Sequence, residues 1–329
     1  MSDHLTPPVI FGADVGSTEI VIACADSSQA VKTIANNRRA IELWLAHLPV
    51  NAVIGMEATG RYHCTLADCA VQHGFRVYVI NPKQLSHYAK GVGQRGKTDP
   101  LDARVIARYV VREGDQLHPY VIPTPIQRTL RNLLTQRAGI VKHCGAIRQC
   151  LRATESIDSP TLKRAHKKAL QSLKKLIAEI DAQLRKAVKQ DATLEQKCVK
   201  LKTITGVGPL NAIALTHRFD RTPFANSDAV VAAYGLDPRP KDSGNKTGRR
   251  CLTKQGNAED RRLIYLAAQS ATKSKTFRPM YAALRAKGFA TTEAIVIIAR
   301  KLLRIAFAVW TSNQPFNPEK LGFQACKKP

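Results

Sequence analysis

The 329-residue chain contains no uninterrupted apolar stretch long enough to cross a membrane. Its most apolar stretch, residues 294–310, is broken by Arg300, Lys301 and Arg304, and a membrane span needs about 20 apolar residues. The N-terminus lacks the basic start and apolar core of a signal peptide. These absences exclude a membrane protein and predict a cytoplasmic one.

The eight cysteines include no Cys-x-x-Cys pair, and no His-rich segment accompanies them. Cysteines in this pattern are typical of reduced thiols in a cytosolic protein. The pattern therefore argues against a disulfide framework and against a structural zinc site.

Acidic residues are scarce in the last two thirds of the chain. Residues 1–120 contain 12 Lys and Arg against 11 Asp and Glu, whereas residues 121–329 contain 39 against 14. Self-repulsion of that size is tolerable when a polyanion or salt neutralises it, and nucleic acid is the usual partner. A membrane surface is a weaker alternative because the basic helices lack a Trp- and Phe-rich face. A soluble basic protein without such a partner remains a further alternative.

The first third has the pattern of an α/β domain. Residues 9–25 contain two apolar β-branched runs joined at residues 14–18, which predicts a hairpin. Strands predicted at residues 52–56 and 76–80 alternate with helices predicted at 35–48 and 62–73. Residues 83–96 are predicted as a basic loop or short helix. Thr98 or Asp99 then caps a helix that runs to about residue 111, so the domain extends to about residue 115.

The rest of the chain is predicted to be mainly helical, with a boundary at the prolines of residues 121–125. A heptad seam is formed by Leu170, Leu173, Ile177, Ile180, Leu184 and Ala187. It predicts an antiparallel helical pair or a coiled coil, which either packs within the chain or joins two chains. The predicted domains are residues 1–118, 119–200 and 201–329.

Four acids of the neutral domain are candidates for a metal site. Asp14 and Glu57 end predicted strands, and Asp99 and Asp102 lie three apart at a helix start. Carboxylates gathered there would repel one another unless a cation lay among them, and oxygen ligands suit Mg²⁺ or Mn²⁺. Two such metals clamp both the attacking and the leaving oxygen of a phosphodiester. Each acid alone also has a structural interpretation: Asp14 as a turn residue, and Asp99 as an N-cap.

Two segments of the last third are candidates for nucleic-acid contact. Residues 203–210 contain a Gly-x-Gly turn that resembles a helix-hairpin-helix, whose backbone N–H groups can bind phosphate. Residues 236–256 form a polar, Gly-rich, basic stretch predicted to be a surface loop, in which Ser243 is flanked by Gly. By composition this loop grips a nucleic-acid backbone, and catalysis by Ser243 is the less favoured interpretation. The candidate contact residues are Gly206, Gly208, Lys241, Lys246, Arg249, Arg250 and Lys254.

Several segments together resemble one family. FGADVGSTEIVI, IGMEATGRY and KTDPLDAR occur in the order of the Asp-Glu-Asp-Asp signature of the DEDD transposases of bacterial insertion sequences. This is the IS-one-ten type, which includes the Piv and MooV invertases and the RNA-guided bridge recombinases. ITGVGPLNAIAL, FANSDAVVAAYGLDPRP, DSGNKTG and TKQGNAEDRRLIYLAA resemble the family's second domain. The helical middle is similar only in length and character.

The resemblance implies a RuvC-like, RNase H-type first domain in which Asp14, Glu57, Asp99 and Asp102 bind Mg²⁺ or Mn²⁺. It implies that Ser243 is the nucleophile that becomes covalently linked to DNA. It also implies a bacterial enzyme that acts on donor and target DNA with a structured non-coding guide RNA. A dimer or tetramer would bring Ser243 of one chain near the acids of another. Residues 246–250 align only in part with the family's pattern.

Three other functions compete with this one. The segment ADVGSTEIVIA also resembles the first phosphate loop of actin-like ATPases and sugar kinases, but the second phosphate loop and the adenosine motif are missing from the sequence. A RuvC-like junction endonuclease would use the four acids with water as nucleophile and would not need Ser243. A non-catalytic nucleic-acid-binding protein would explain the charge and leave the acids unexplained.

Overall fold

The computed structural model of the protein describes residues 7–26, 28–94, 96, 98–153, 159–239 and 251–321. The chain forms two compact units, Met1–Ile122 and Pro123–Pro329. Among the described helices, none combines the length and the apolar character that a bilayer crossing requires. The further division of the second unit into a helical middle and a C-terminal domain stays a prediction.

The first unit is built on a mixed five-stranded sheet with the strand order β3-β2-β1-β4-β5. The strands are β1 (Ile10–Val15), β2 (Glu19–Cys24), β3 (Lys32–Ala35), β4 (Val53–Glu57) and β5 (Arg76–Ile80). β1 and β2 form the predicted antiparallel hairpin, and β3 extends it at the edge. β4 and β5 add in parallel on the other side of β1. The α/β character predicted for this part of the chain is confirmed.

Helices cover both faces of this sheet. They are α1 (Arg38–Leu45), α2 (His63–Gln72), α3 (Pro82–Gly91) and α4 (Asp99–Glu113), followed by a 3₁₀ turn at Gly114–Gln116. Side chains alternate along a strand, so Phe11 and Ala13 share a buried cluster with Trp44 of α1 and Leu66 of α2. On the opposite face, Val53 clusters with residues of α3 and α4.

The second unit is mostly helical in its described residues. Its elements are α5 (Pro125–Ala153), α6 (Pro160–Lys189), α7 (Ala192–Lys202), α8 (Pro209–Arg221), α9 (Ser227–Ala233), β6 (Pro238–Arg239), β7 (Cys251–Leu252), α10 (Ala258–Ala271), α11 (Arg278–Ala286), α12 (Thr291–Ser312) and a 3₁₀ turn at Pro318–Leu321. The apolar stretch excluded above as a membrane span is α12. It lies at the centre of the largest hydrophobic core, where Ile298 and Leu302 are fully buried.

α5 and α6 pack against each other in opposite directions. Leu130, near the start of α5, shares a cluster with Leu184 and Val188, near the end of α6. Arg137 forms an ion pair with Asp181 across the pair at 2.5 Å. Along the predicted seam Ile180, Leu184 and Ala187 are buried, while Leu170, Leu173 and Ile177 are half-buried. The helical pair predicted for this part of the chain is present, and the coiled coil and its role in oligomerisation stay predictions.

The structure corrects several element boundaries. The helix predicted from residue 35 begins at Arg38, because residues 32–35 form the edge strand β3. Of the two predictions for residues 83–96, the helix is present: α3 begins one residue earlier, at Pro82, and Asn81 caps it by accepting a hydrogen bond from the Lys83 amide. Residues 236–256 were expected to be entirely loop, but β6 and β7 pair there.

Candidate functional site

Asp14, the next-to-last residue of β1, and Glu57, the last residue of β4, lie on neighbouring strands and on the same face of the sheet. β1 and β4 run parallel with Ala13 opposite Met56, so the next residue on each strand is one of the two acids. Ala13 and Met56 are fully buried on the face of α1 and α2, and alternation turns the acids towards the face of α4. Two of the predicted site residues therefore lie side by side at the carboxyl ends of β1 and β4.

Two glycines bring the fourth helix close to this edge. A Cβ added at Gly12 would overlap the carbonyl oxygen of Ala103 and the amide nitrogen of Ala107, and one added at Gly55 would overlap Val110. Each glycine precedes an acid by two residues and so shares its face. α4 therefore lies directly on the sheet, and its first turn, which contains Asp99 and Asp102, lies near the strand ends.

The N-cap of α4 is Thr98, with an extended backbone and no side-chain capping bond, and Pro100 lies in the first turn. The alternative in which Asp99 is the N-cap is wrong: Asp99 is the first helical residue and is exposed. Asp102 is half-buried, and its carboxylate accepts a hydrogen bond from the Gln94 side chain at 3.2 Å.

Glu57 and Asp102 line one cavity of about 440 Å³. Lys90 and Gln94 contribute polar groups to its wall, and Leu85 and Ile106 contribute apolar ones. We call this space the acid cavity. Sequence reasoning missed Lys90 and Gln94, because their segment of α3 and its following turn was predicted only as a basic loop or short helix.

The acid cavity unites two of the four predicted acids. Asp14 and Asp99 are absent from its described lining, and no group of three or more His, Cys, Asp or Glu among the described residues is arranged to hold a metal ion. The two carboxylates that do face the cavity are hard oxygen donors, the type that Mg²⁺ and Mn²⁺ prefer. The residues present therefore fit a divalent cation in kind, and the four-acid site stays a proposal.

Ser243 and four candidate contact residues, Lys241, Lys246, Arg249 and Arg250, lie outside the described residues. The described chain on either side of them is well defined by hydrogen bonds. Asp237 accepts a hydrogen bond from Thr253 and another from Arg239 at 3.3 Å. These bonds and the β6–β7 pairing hold residues 237–239 beside residues 251–253.

Next to this pairing, the backbone around Gly235 and that around Gly256 lie so close together that neither position has room for a side chain. Gly235 has a φ of +64°, and a Cβ there would meet the Gln255 amide nitrogen at 2.6 Å. Arg261 of α10 donates hydrogen bonds to the carbonyl oxygens of Gly256 and Tyr234. Lys254 is exposed with a φ of +52°, a conformation that costs a non-glycine residue about 1 kcal/mol or more.

The Gly-x-Gly turn joins α7 to α8. Gly206 has a φ of +92°, and a Cβ there would meet Ala271 of α10 at 2.7 Å, so this glycine is required for helix packing. Gly208 is the N-cap of α8, and a Cβ there would meet nothing within 4 Å. Backbone conformation and packing thus account for Gly206, while phosphate contact by either residue stays a prediction.

A buried ionisable cluster consists of Arg218 on α8, Asp260 on α10 and Tyr234, the residue that follows α9. Burial raises the pKa of the Asp260 carboxyl, and the nearby Arg218 guanidinium opposes that rise. Burial also raises the pKa of Tyr234, and the Asp260 carboxylate adds to the effect. No sequence pattern predicts this cluster, because its members are far apart in the chain and belong to separate elements.

Two family models match the chain. The transposase model of the DEDD IS110 type matches residues 11–154, and the model of the transposase IS116/IS110/IS902 family matches residues 198–282. The chain belongs to the IS110 family of transposases. It is therefore an enzyme of the DNA transposase and recombinase class, as the resemblance predicted.

Relatives of this transposase align over most of its length. The pilin gene-inverting protein of Moraxella bovis is 28% identical over 298 residues, which cover 87% of this chain and 90% of the relative. A protein of insertion element IS116 from Streptomyces clavuligerus is 26% identical over 337 residues, which cover 80% of this chain and 83% of the relative. Thermus thermophilus RuvC in complex with a Holliday junction substrate covers 35% of this chain and 100% of its own, at 14% identity and a TM-score of 0.27.

Proposed function

We propose that this transposase cuts and rejoins DNA through a covalent phosphoserine intermediate, with the acids of the first unit and Ser243 as its catalytic groups. The observation that carries the proposal is the acid cavity: Glu57 and Asp102, distant in sequence, open onto one space. Both lie in the segment that matches the DEDD transposase model. The mixed sheet is compatible with the RNase H-type fold that the resemblance implies.

Glu57 and Asp102 would hold a divalent cation, Mg²⁺ or Mn²⁺, with Asp14 and Asp99 as further ligands from the adjacent strand end and helix turn. Such a cation supplies charge stabilisation at the oxygens of a reacting phosphodiester. Lys90, on the cavity wall, offers a positive charge to the same phosphate. Gln94 orients the Asp102 carboxylate through its hydrogen bond.

Ser243 is the proposed nucleophile. Its hydroxyl oxygen attacks phosphorus, so that an Oγ–P bond forms and one P–O bond of the strand breaks. The hydroxyl proton passes to a base, and the leaving oxygen takes up a proton. Attack by a strand hydroxyl on the Oγ–P bond reverses these changes and joins DNA without an added energy source. Ser243 lies within residues 198–282, which the second transposase model matches.

The basic residues of the second unit are the proposed binding surface for nucleic acid. Residues 121–329 hold 39 of the 51 Lys and Arg, which suits donor and target DNA together with a structured guide RNA. Lys254, exposed beside the β6–β7 pairing, is a proposed phosphate contact, as are Gly206, Gly208, Lys241, Lys246, Arg249 and Arg250. Assembly as a dimer or tetramer through α5 and α6 is also proposed. Inversion of a DNA segment, the act named for the Moraxella relative, is a second possible outcome of the same chemistry.

The test is recombination by the full-length protein on a plasmid containing the DNA that flanks its gene, with Mg²⁺ and with or without RNA transcribed from that DNA. The proposal predicts joined recombinant products that depend on the RNA and on Ser243. Ser243→Ala should abolish them, and Ser172→Ala, an exposed serine of α6, should not. Cut ends without joined products, equal in wild type and Ser243→Ala, would replace the proposal with the water-using endonuclease.

A further inference from the structure

A second cavity of about 490 Å³ adjoins the acid cavity. Its lining includes two arginines of α4, Arg104 and Arg108, together with Cys24 at the end of β2. Gln94 and Val105 line both cavities. The two spaces therefore lie side by side along the first two turns of α4.

The two arginines lie on one face of α4, a helical turn or about 6 Å apart along its axis. Arg104 is half-buried and Arg108 is exposed. Within the described part of the chain, neither guanidinium has a hydrogen bond or an ion pair. Arg38 of the same unit, by contrast, is paired with Glu42 at 2.7 Å.

Unpaired guanidinium groups on a cavity wall favour an anionic ligand. A guanidinium matches phosphate oxygens with two parallel N–H donors, which makes Arg suited to phosphate recognition. The first 120 residues contain nearly equal numbers of acidic and basic residues, so these two arginines do not belong to the large excess of positive charge in residues 121–329. Their cavity adjoins the acid cavity, which Glu57 and Asp102 line.

We propose that Arg104 and Arg108 bind the phosphodiester backbone of the DNA strand whose reacting phosphate enters the acid cavity. This inference rests on the proposed function for the identity of the strand. The two arginines hold phosphates next to the reacting one, and they fix the position of the strand without reading its sequence.

The experiment measures binding of full-length protein to duplex DNA, and to RNA of the same length, over a fourfold range of salt. Each phosphate contact contributes about 0.9 to the slope of log affinity against log salt on duplex DNA. Arg104→Ala and Arg108→Ala should each lower that slope by about 0.9, so the change in affinity over this salt range should be smaller by a factor of about 3.5. The loss should be the same for DNA of different sequences.

Arg112→Ala is the matched control, because Arg112 is exposed one turn further along α4 and does not line the cavity. Arg112→Ala should leave the salt slope unchanged. Arg104→Lys, which keeps the positive charge, should retain most of the wild-type slope. Thermal unfolding of every variant should match wild type, which separates a phosphate contact from a folding defect.

The inference is overturned if Arg104→Ala and Arg108→Ala behave like Arg112→Ala on DNA, or if their slopes change on RNA alone. Binding does not require strand exchange, so the two proposals can fail separately. Slope changes in a protein that forms no recombinants would refute the proposed function and keep the phosphate contacts. Recombination by a protein whose salt slopes do not change in these variants would refute the phosphate contacts and keep the proposed function.

Discussion

Glu57 ends strand β4, Asp102 lies in the first turn of α4, and the two carboxylates line the same cavity. Gly55 makes this meeting possible, because a Cβ at that position would overlap Val110 of α4. The catalytic proposal depends directly on this relationship.

Removing either carboxylate should abolish chemistry and spare the fold. Glu57→Gln and Asp102→Asn keep side-chain volume but lose the charge that a divalent cation needs, so DNA joining should fall at least about 100-fold. Circular dichroism and thermal unfolding should match wild type, since each change removes one of several acids that repel one another. Asp115→Asn, at an exposed acid of the same unit, is the control. Joining at the control's level in Asp102→Asn would rule out the acid cavity as the site.

Gly12→Ala should destabilise the first unit. Its Cβ would overlap the backbone of α4 at Ala103 and Ala107, and overpacking of this kind costs about 1–3 kcal/mol. Urea unfolding measures the loss. Gly91→Ala is the comparison, because a Cβ there, at the end of α3, meets nothing within 4 Å and the free energy of unfolding should hardly change. Equal stability of the two variants would mean that α4 does not lie directly on β1.

Stability should fall with acid between about pH 6.5 and pH 4 because of His217. Burial lowers the pKa of His217 from 6.5 to about 4, with help from the positive charges of Arg218, Arg131 and Arg221. Over that interval the unfolded chain binds a proton that the folded chain does not. The free energy of unfolding therefore decreases by about 1.4 kcal/mol for each unit by which the pH falls within this interval.

His217→Gln should remove this part of the pH dependence, and His118→Gln, at an exposed histidine, should keep the wild-type slope. Urea unfolding at several pH values between 4 and 7 is the measurement. If the wild-type slope persists in His217→Gln, His217 is not the group that titrates.

The sequence predicted the strand ends and the gathering of their acids with those of α4, but not the residues that let α4 come so close to the sheet. Asp14 and Glu57 follow apolar runs, so their places in the last two residues of β1 and β4 could be predicted from residue type alone. The convergence with α4 depends on Gly12 and Gly55, each two residues before an acid and on the same face. That spacing was a usable signal, because a side chain is missing where a helix must approach.

Other features depended on tertiary packing that a local pattern does not contain. β3 has only one half-buried apolar residue, Ile34, and is a strand because β2 pairs with it. Gly206 carried a phosphate-site prediction, and its backbone and packing against α10 explain it equally well. The sequence pattern of α4 points to its acids and not to Arg104 and Arg108. Their place in the wall of the second cavity is what distinguishes these two arginines from other arginines of the first unit.

The most direct test of the central claim is to identify the protein atom that becomes attached to DNA. Full-length protein is incubated with Mg²⁺, guide RNA and flanking DNA, then denatured, digested with protease and nuclease, and the modified peptide is sequenced by mass spectrometry. The account predicts a nucleotide on the Ser243 hydroxyl, absent after chelation and absent in Glu57→Gln. A nucleotide on another residue, or cut DNA with free ends and no attached peptide, would contradict it.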